Sequence, residues 1–186
     1  MTPSYHTQTY YGSIGWATPA AFGSEMALQD MSLSHLSDPP RRTVLVTGDG
    51  SLQLTIQEIG SMIHHKTAPL IVIINNSGYT IERAIHGAKQ SYNDIVPYNF
   101  SFALRLFGMS EAAAKAHFFR VSTRKEVEDV FASDDLRRPD MPFIIEVIMD
   151  ALDAPWRMLQ AIALRGPETA KEMSASGFRW IAPTMN

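Results

Sequence analysis

The chain alternates between short continuous apolar runs and stretches whose apolar residues recur every three or four positions. Continuous runs rich in β-branched residues predict strands. They cover residues 43–47, 70–75, 118–121 and 142–149. Helical spacing covers residues 18–33, 51–65, 101–107, 124–133 and 156–164. Strands that alternate with helices favour a parallel sheet covered on both faces, so we predict a doubly wound α/β fold with a mostly parallel sheet.

Several local signals place the ends of these elements. Thr18 followed by Pro19 is typical of a helix start, with the threonine as cap. Thr123 and Glu126 have the spacing of a capping box. Beyond Leu164 the pattern fades, and we expect residues 166–186 to form a loosely held C-terminal tail.

Composition narrows the class of protein. The chain has 186 residues, 45% of them hydrophobic, a length and composition that suit one folded domain. With 16 basic and 19 acidic residues it has no basic excess for nucleic acid, and no apolar run approaches the length of a membrane span. The absence of cysteine excludes disulfides and thiolate chemistry. We expect a cytoplasmic protein that binds neither nucleic acid nor membrane.

Two loops that follow predicted strands carry the candidate chemistry. They are Gly48-Asp49-Gly50-Ser51 and Asn75-Asn76-Ser77-Gly78-Tyr79. Between Gly50 and Asn75 lie the 24 residues 51–74. A helix over residues 51–65 extends about 22 Å, and a strand over residues 70–75 returns about 20 Å. Both loops should therefore lie at the same edge of the sheet, which brings Asp49 near Asn76.

The side chains in these loops suit a hard cation and a phosphate. Asp49 offers a carboxylate oxygen, Asn76 an amide oxygen, and a loop carbonyl such as that of Gly78 can add a third ligand for Mg²⁺. Ser51 at a helix start suits a phosphate group, and Gly48 and Gly50 let the backbone approach a ligand. Each loop alone is also an ordinary turn sequence, and Asn75 could equally cap the next helix.

The arrangement G-D-G, 24 residues, N-N resembles the thiamine diphosphate signature. The surrounding sequence resembles the 2-oxo acid decarboxylases, the pyruvate and indolepyruvate decarboxylase group. Three stretches carry this resemblance, and they lie at residues 12–16, 48–53 and 75–87. Within them the segments G-S-I-G and G-Y-T-I-E are typical of the decarboxylase branch, and argue against a carboligase of the acetolactate synthase type.

The resemblance implies a role for each candidate residue. Asp49, Asn76 and the carbonyl of Gly78 would hold Mg²⁺, while Gly50 and Ser51 would contact the diphosphate. The other implied cofactor contacts are Gly12, Ser13, Ile14, Gly48 and Ile81. Among these, the carbonyl of Gly12 would accept a hydrogen bond from the aminopyrimidine and Ile14 would hold the cofactor bent.

Glu82 is the implied acid or base that acts on substrate-derived groups. Its position near a helix start also fits a simple dipole role, which spacing alone favours. A carboxyl flanked by Ile81 and Ile85 could be partly desolvated and suited to proton transfer. His86 lies one helical turn further along and could hydrogen-bond to Glu82.

The resemblance also implies what lies outside this chain. Residues 1–165 correspond to the thiamine diphosphate and Mg²⁺ domain alone. The pyrimidine-binding domain of another chain or subunit would supply the activating glutamate, and the assembly would be a homo-oligomer acting on a small 2-oxo acid. We therefore expect the isolated chain to be inactive. The alternative is a non-catalytic cofactor-binding or oligomerisation module.

Overall fold

A computed structural model describes residues 4–8, 10–33, 41–136 and 140–179 of the chain. The chain divides into two compact units. The first comprises residues 1–74 and 98–148, and the second comprises residues 75–97 and 149–186. Within the described ranges, no helix is long and apolar enough to cross a bilayer.

The sheet confirms the predicted fold class. Its strands are β1 (Val44–Gly48), β2 (Leu70–Asn75), β3 (Phe118–Val121) and β4 (Phe143–Ile148). They lie in the order β1-β2-β4-β3, and the pairs β1–β2 and β3–β4 are parallel. The register pairs Val44 with Leu70 and Gly48 with Ile74. The carboxyl ends of β1 and β2 therefore coincide to within one or two residues.

Apolar residues on both faces of the sheet explain why helices cover both. Alternate residues of β2 divide between two core clusters: Ile71 and Ile73 pack in one, Leu70 in the other. Helices of the first unit are α1 (Ala17–Leu33), α2 (Asp49–Gln53), α3 (Glu58–His64), α5 (Ala103–Leu106), α6 (Glu111–Ala116) and α7 (Arg124–Ala132). Continuous apolar strands of this kind are typical of a parallel sheet buried on both faces.

The prediction of one continuous helix over residues 51–65 is wrong. The structure has α2 and α3 separated by a turn at residues 54–57, with i to i+3 backbone hydrogen bonds such as Thr55 N to Leu52 O at 3.0 Å. The Thr55 hydroxyl donates to the carbonyl of Gly15 at 2.9 Å, a contact that no helical periodicity reports. The predicted core positions Leu52 and Ile59 are nevertheless fully buried.

Thr18 does not cap the first helix as predicted. Helix α1 begins at Ala17, so Thr18 and Pro19 lie in its first turn. The Thr18 hydroxyl is buried and makes no hydrogen bond within the described part of the chain. By contrast, the capping box of α7 is confirmed, with Thr123 accepting from the Glu126 N–H and Glu126 accepting from the Thr123 N–H.

The helix predicted over residues 101–107 is shorter than expected. A 3₁₀ turn over Phe100–Phe102 precedes α5, and the side chain of Asn99 accepts from the Ser101 N–H. Two further 3₁₀ turns lie at Ser91–Asn93 and Asp134–Leu136.

The second unit is built from three helices, and it corrects our prediction of a loosely held tail. They are α4 (Thr80–His86), α8 (Trp156–Ala163) and α9 (Pro167–Ala175). Met173 of α9 and Phe178 just after it are buried with Ala84, Leu159 and other residues in one apolar cluster. Burying each such side chain contributes about 1.5–3 kcal/mol. The tail prediction is therefore wrong for residues 167–178, and residues 180–186 lie outside the described ranges.

Candidate functional site

The loop after β1 carries a buried carboxylate. Gly48 ends the strand in an extended conformation, and Asp49 opens α2. The Asp49 side chain is only 2% exposed, and its Oδ1 accepts a hydrogen bond from the Gly50 N–H at 2.8 Å. A buried carboxylate beside two glycines offers the oxygen chemistry of a Mg²⁺ ligand.

The glycine-rich segment at residues 12–15 docks on this loop. The Gly15 N–H donates to the Ser51 hydroxyl at 2.9 Å, and the Gly15 carbonyl accepts from the Thr55 hydroxyl at 2.9 Å. Gly15 has φ +84°, and a Cβ there would lie 2.9 Å from the Leu54 Cβ. Only glycine fits this close approach. Two of the predicted cofactor-binding stretches are thus brought together within the first unit.

This docking leaves specific groups at the surface of the first unit. Because Ser51 accepts from Gly15, its hydroxyl proton remains to be donated, as a phosphate oxygen requires. Gly12 has φ +56°, Ser13 accepts from the Trp16 N–H at 3.3 Å, and both lie exposed. The Ile14 side chain is 55% exposed, which is unusual for isoleucine.

Hydrogen bonds in the loop after β2 fix the orientation of the Asn76 amide. The buried Thr80 hydroxyl donates to the Ala151 carbonyl at 2.7 Å, so it can only accept from Asn76 at 2.8 Å. The partner atom on Asn76 is therefore Nδ2, which donates. The amide oxygen is left for an acceptor or metal-ligand role.

The same loop has an unusual backbone conformation, and other residues of the second unit hold it in place. Ser77 has φ +60° and Gly78 has φ +125°. The Arg83 guanidinium donates to the Ser77 carbonyl at 2.6 Å, and the Tyr79 N–H donates to the Asn93 carbonyl at 3.1 Å. A Cβ on Gly78 would collide with that Asn93 carbonyl oxygen, so glycine is required at this position.

Helix α4 presents the predicted acid–base residue. Glu82 Oε2 lies 3.3 Å from His86 Nε2, and the two side chains are 46% and 56% exposed. The predicted contact between them is confirmed. The carboxyl is half-exposed rather than enclosed, and Ile81 beside it is 39% exposed.

The oxygen donors of each loop are of the kind that Mg²⁺ prefers. Within the described ranges, no group of three or more histidine, cysteine or acidic side chains could hold a metal. The loop after β1 offers a carboxylate, and the loop after β2 offers an amide oxygen and carbonyls. Mg²⁺ commonly binds such oxygens together with phosphate oxygens and water.

Sequence reasoning missed the residues that hold these loops. They are Thr55, Thr80, Arg83, Asn93 and Asp94. Of these, Arg83 offered the clearest sequence signal, because it is a cation beside Ala84. The structure buries both residues, together with Thr80, in α4.

Comparisons with known proteins show the family. A family model described as the C-terminal TPP binding domain of thiamine pyrophosphate enzymes matches residues 1–147. The chain belongs to this family.

Two named relatives are decarboxylases. The chain is 39% identical over 167 residues to a pyruvate decarboxylase of Candida albicans, covering 89% of this chain and 28% of that protein. It is 37% identical over 161 residues to an alpha-keto-acid decarboxylase of Mycolicibacterium paratuberculosis, covering 87% and 26%. The chain therefore spans about a quarter of the length of these relatives.

A solved structure supports the fold. The crystal structure of benzoylformate decarboxylase from Polynucleobacter necessarius matches with a TM-score of 0.59 and 22% identity, covering 78% of this chain and 25% of that one. This likeness shows that the chain has the fold of thiamine diphosphate enzymes.

Proposed function

We propose that this chain is the cofactor half of the active site of a 2-oxo acid decarboxylase and that it binds thiamine diphosphate through Mg²⁺. The observation that carries the proposal is the register of β1 and β2. Gly48 pairs with Ile74, so Asp49 and Asn76 follow adjacent strand ends. In parallel sheets, ligands bind outside these carboxyl ends.

Asp49, Asn76 and the carbonyl of Gly78 are the proposed Mg²⁺ ligands. The burial of Asp49 and the orientation of the Asn76 amide both support this role. The Ser51 hydroxyl donates to a diphosphate oxygen, and Gly48 and Gly50 allow close approach of the backbone.

The remaining site residues hold the organic part of the cofactor and move protons. The carbonyl of Gly12 would accept from the aminopyrimidine, Ser13 would line the same segment, and Ile14, which is exposed, would contact the cofactor. Ile81 would line the pocket near the thiazolium. When bound, thiamine diphosphate supplies the carbon nucleophile and the electron sink for loss of carbon dioxide from a 2-oxo acid. Glu82 holds or releases a proton at the substrate-derived group.

The substrate and the partner follow from the same proposal. The named relatives act on pyruvate and other alpha-keto acids, which favours a small 2-oxo acid here. A pyrimidine-binding domain from another chain or subunit supplies the group that activates the cofactor, within a homo-oligomer. The isolated chain then binds the cofactor without turning over substrate.

Calorimetric titration of thiamine diphosphate into the chain, in excess Mg²⁺, tests the proposed cofactor binding. Asp49→Ala removes a charged ligand and should weaken binding about a hundredfold or more, as losing one member of a charge cluster costs on the order of 3–5 kcal/mol. Asn76→Ala should weaken it less, because the lost ligand is neutral. Wild-type affinity in Asp49→Ala would mean that the metal lies elsewhere.

Glu82→Gln tests the chemical half, because it keeps the shape of the side chain and touches no metal. Cofactor affinity should stay within a few-fold of wild type. After reconstitution with a pyrimidine domain, turnover of pyruvate should fall by roughly 10²–10⁴. If Glu82→Gln loses the cofactor, Glu82 is structural. If the reconstituted wild type binds cofactor but releases no carbon dioxide, the chain is a non-catalytic binding module.

A further inference from the structure

A buried arginine lies directly beneath the loop that carries two of the proposed metal ligands. The Arg83 side chain is 5% exposed, and its Nη2 donates to the Ser77 carbonyl at 2.6 Å and to Asp94 Oδ1 at 2.8 Å. Nη1 is also buried and makes no hydrogen bond within the described part of the chain. Burying a guanidinium with an unsatisfied nitrogen is unfavourable, so the contacts of Nη2 must offset that cost.

The loop above this arginine needs an external constraint. Ser77 at φ +60° is not a glycine, and Gly78 at φ +125° lies in a region that side chains rarely adopt. Such conformations persist only where surrounding contacts over-determine them. An ideal Cβ on Gly78 would lie 3.0 Å from Arg83 Nη2, so the guanidinium packs against this residue.

Asn93 ties the other side of the same loop. Its carbonyl accepts from the Tyr79 N–H at 3.1 Å, and its Nδ2 donates to the Gly87 carbonyl at 3.1 Å. Asn93 is 1% exposed and directly precedes Asp94. The segment that supplies the counter-charge of Arg83 therefore also anchors the loop backbone.

The charge of Asp94 matters because a cation is expected nearby. An unpaired guanidinium bound to the carbonyl of Ser77, next to Gly78, would repel Mg²⁺. Asp94 lies on the solvent side of the pair, with its side chain 65% exposed, and neutralises that charge.

We propose that Arg83 and Asp94 form a positioning pair, which locks Ser77 and Gly78 in their left-handed conformation and thereby presents the Gly78 carbonyl to Mg²⁺. The proposal rests on the function proposed above for the loop. Neither residue touches the metal or the cofactor. The pair acts through the backbone and through charge balance.

Hydrogen exchange in the metal-free chain tests the conformational part without any ligand. Arg83→Met removes the hydrogen bonds to Ser77 and Asp94. The chain should stay folded, because the exposed Asp94 side chain remains solvated and no buried charge is left unpaired. The Tyr79 amide, which donates to Asn93, should exchange at least about tenfold faster, as expected for local opening. Asp94→Asn should give a smaller acceleration. Arg124→Met, which breaks an exposed pair with Glu128 on α7, is the matched control and should leave the Tyr79 amide unchanged.

Metal titration tests the positioning part. At saturating thiamine diphosphate, the Mg²⁺ concentration needed for half-saturation should rise roughly tenfold in Arg83→Met. This is the effect expected from weakening one metal–ligand contact. Affinity for thiamine diphosphate at saturating Mg²⁺ should change only a few-fold. A merely structural role would weaken both affinities together and lower the unfolding temperature.

The outcomes separate this inference from the proposed function. If wild type binds no thiamine diphosphate with Mg²⁺, the proposed function fails and the positioning of Mg²⁺ fails with it, while the exchange comparison still decides whether the pair locks the loop. If wild type binds but Tyr79 exchange and Mg²⁺ affinity are unchanged in both Arg83→Met and Asp94→Asn, the positioning pair is overturned.

Discussion

Buried carboxylates lie near both ends of the strands in the first unit, and their local hydrogen bonds differ. At the amino ends, Glu25 accepts from the Thr43 N–H at 2.6 Å and from the Ala68 N–H at 3.2 Å, which joins the starts of β1 and β2 to α1. At the carboxyl end of β1, Asp49 Oδ1 accepts from the N–H of Gly50, the next residue in the chain. Both carboxylates are almost fully buried.

Arginine completes the closed network at the amino ends. The Arg42 guanidinium donates to the carbonyls of Ala68, Pro69 and Leu136 at 2.7, 3.3 and 3.1 Å. Burial lowers the pKa of Arg42, and the charge of Glu25 opposes that shift. The loop after β1, by contrast, is built from glycine, serine and aspartate. One end of the sheet thus uses its polar atoms to hold strands, and the other carries the residues proposed above to bind a ligand.

The largest expected effect is on stability at the amino ends. Glu25→Gln replaces one acceptor oxygen by a donor that faces a backbone N–H and removes the charge that balances Arg42. The free energy of unfolding should fall by about 3 kcal/mol. Urea unfolding at constant slope measures this. Glu128→Gln on the exposed face of α7 is the control, with a change within about 0.5 kcal/mol.

Asp49→Asn is the matched change at the carboxyl end. It keeps the size of the side chain and an oxygen for the Gly50 N–H, so the urea midpoint should fall less than in Glu25→Gln. Thiamine diphosphate binding should be weakened. A loss of stability in Asp49→Asn together with an unchanged midpoint in Glu25→Gln would reverse the comparison.

Two glycines at the carboxyl end should respond differently to alanine. Gly15→Ala forces a Cβ against Leu54 at φ +84° and should destabilise the chain by about 2 kcal/mol. Gly48→Ala has extended backbone and no atom within 4 Å of the new Cβ, so it should be neutral or stabilise by up to about 1 kcal/mol. Its cofactor affinity should nevertheless fall. Equal unfolding midpoints for the two variants would contradict the close approach seen at Gly15.

The smallest expected effect concerns the carboxyl end of β3. There the side chain of Glu126 accepts hydrogen bonds from the backbone N–H groups that follow the strand. Hydrogen bonds from the Ser122 and Thr123 N–H groups lower the pKa of Glu126. A lowered pKa means that the stabilisation is present above the unfolded-state pKa and is lost as pH falls through the folded-state value. Wild type should therefore exceed Glu126→Gln in urea midpoint at neutral pH and converge with it in acid. Parallel curves at all pH values would mean that the carboxylate contributes nothing.

Local sequence signals predicted most of the elements and the order of the fold. The β-branched run at residues 70–75 became β2 without change, and Thr123 with Glu126 capped α7 as their spacing required. Both depend on neighbouring residues and on burial of one apolar surface, which the order of residues records directly. The spacing between Gly50 and Asn75 likewise predicted that two loops follow adjacent parallel strands.

Tertiary contacts decided what short-range patterns could not. The break between α2 and α3 is associated with Gly15, which is 40 residues from Thr55 in sequence. The helix α9 depends on burying Met173 in a cluster that distant segments build. The conformation of Ser77 and Gly78 depends on a guanidinium and on a carbonyl from a later turn. The sequence by itself predicted near which strand ends the candidate residues lie, because hydrophobic period and spacing are local properties. Only the tertiary structure decided how those residues are held, because each supporting hydrogen bond joins groups that only the folding of the chain brings within hydrogen-bonding distance.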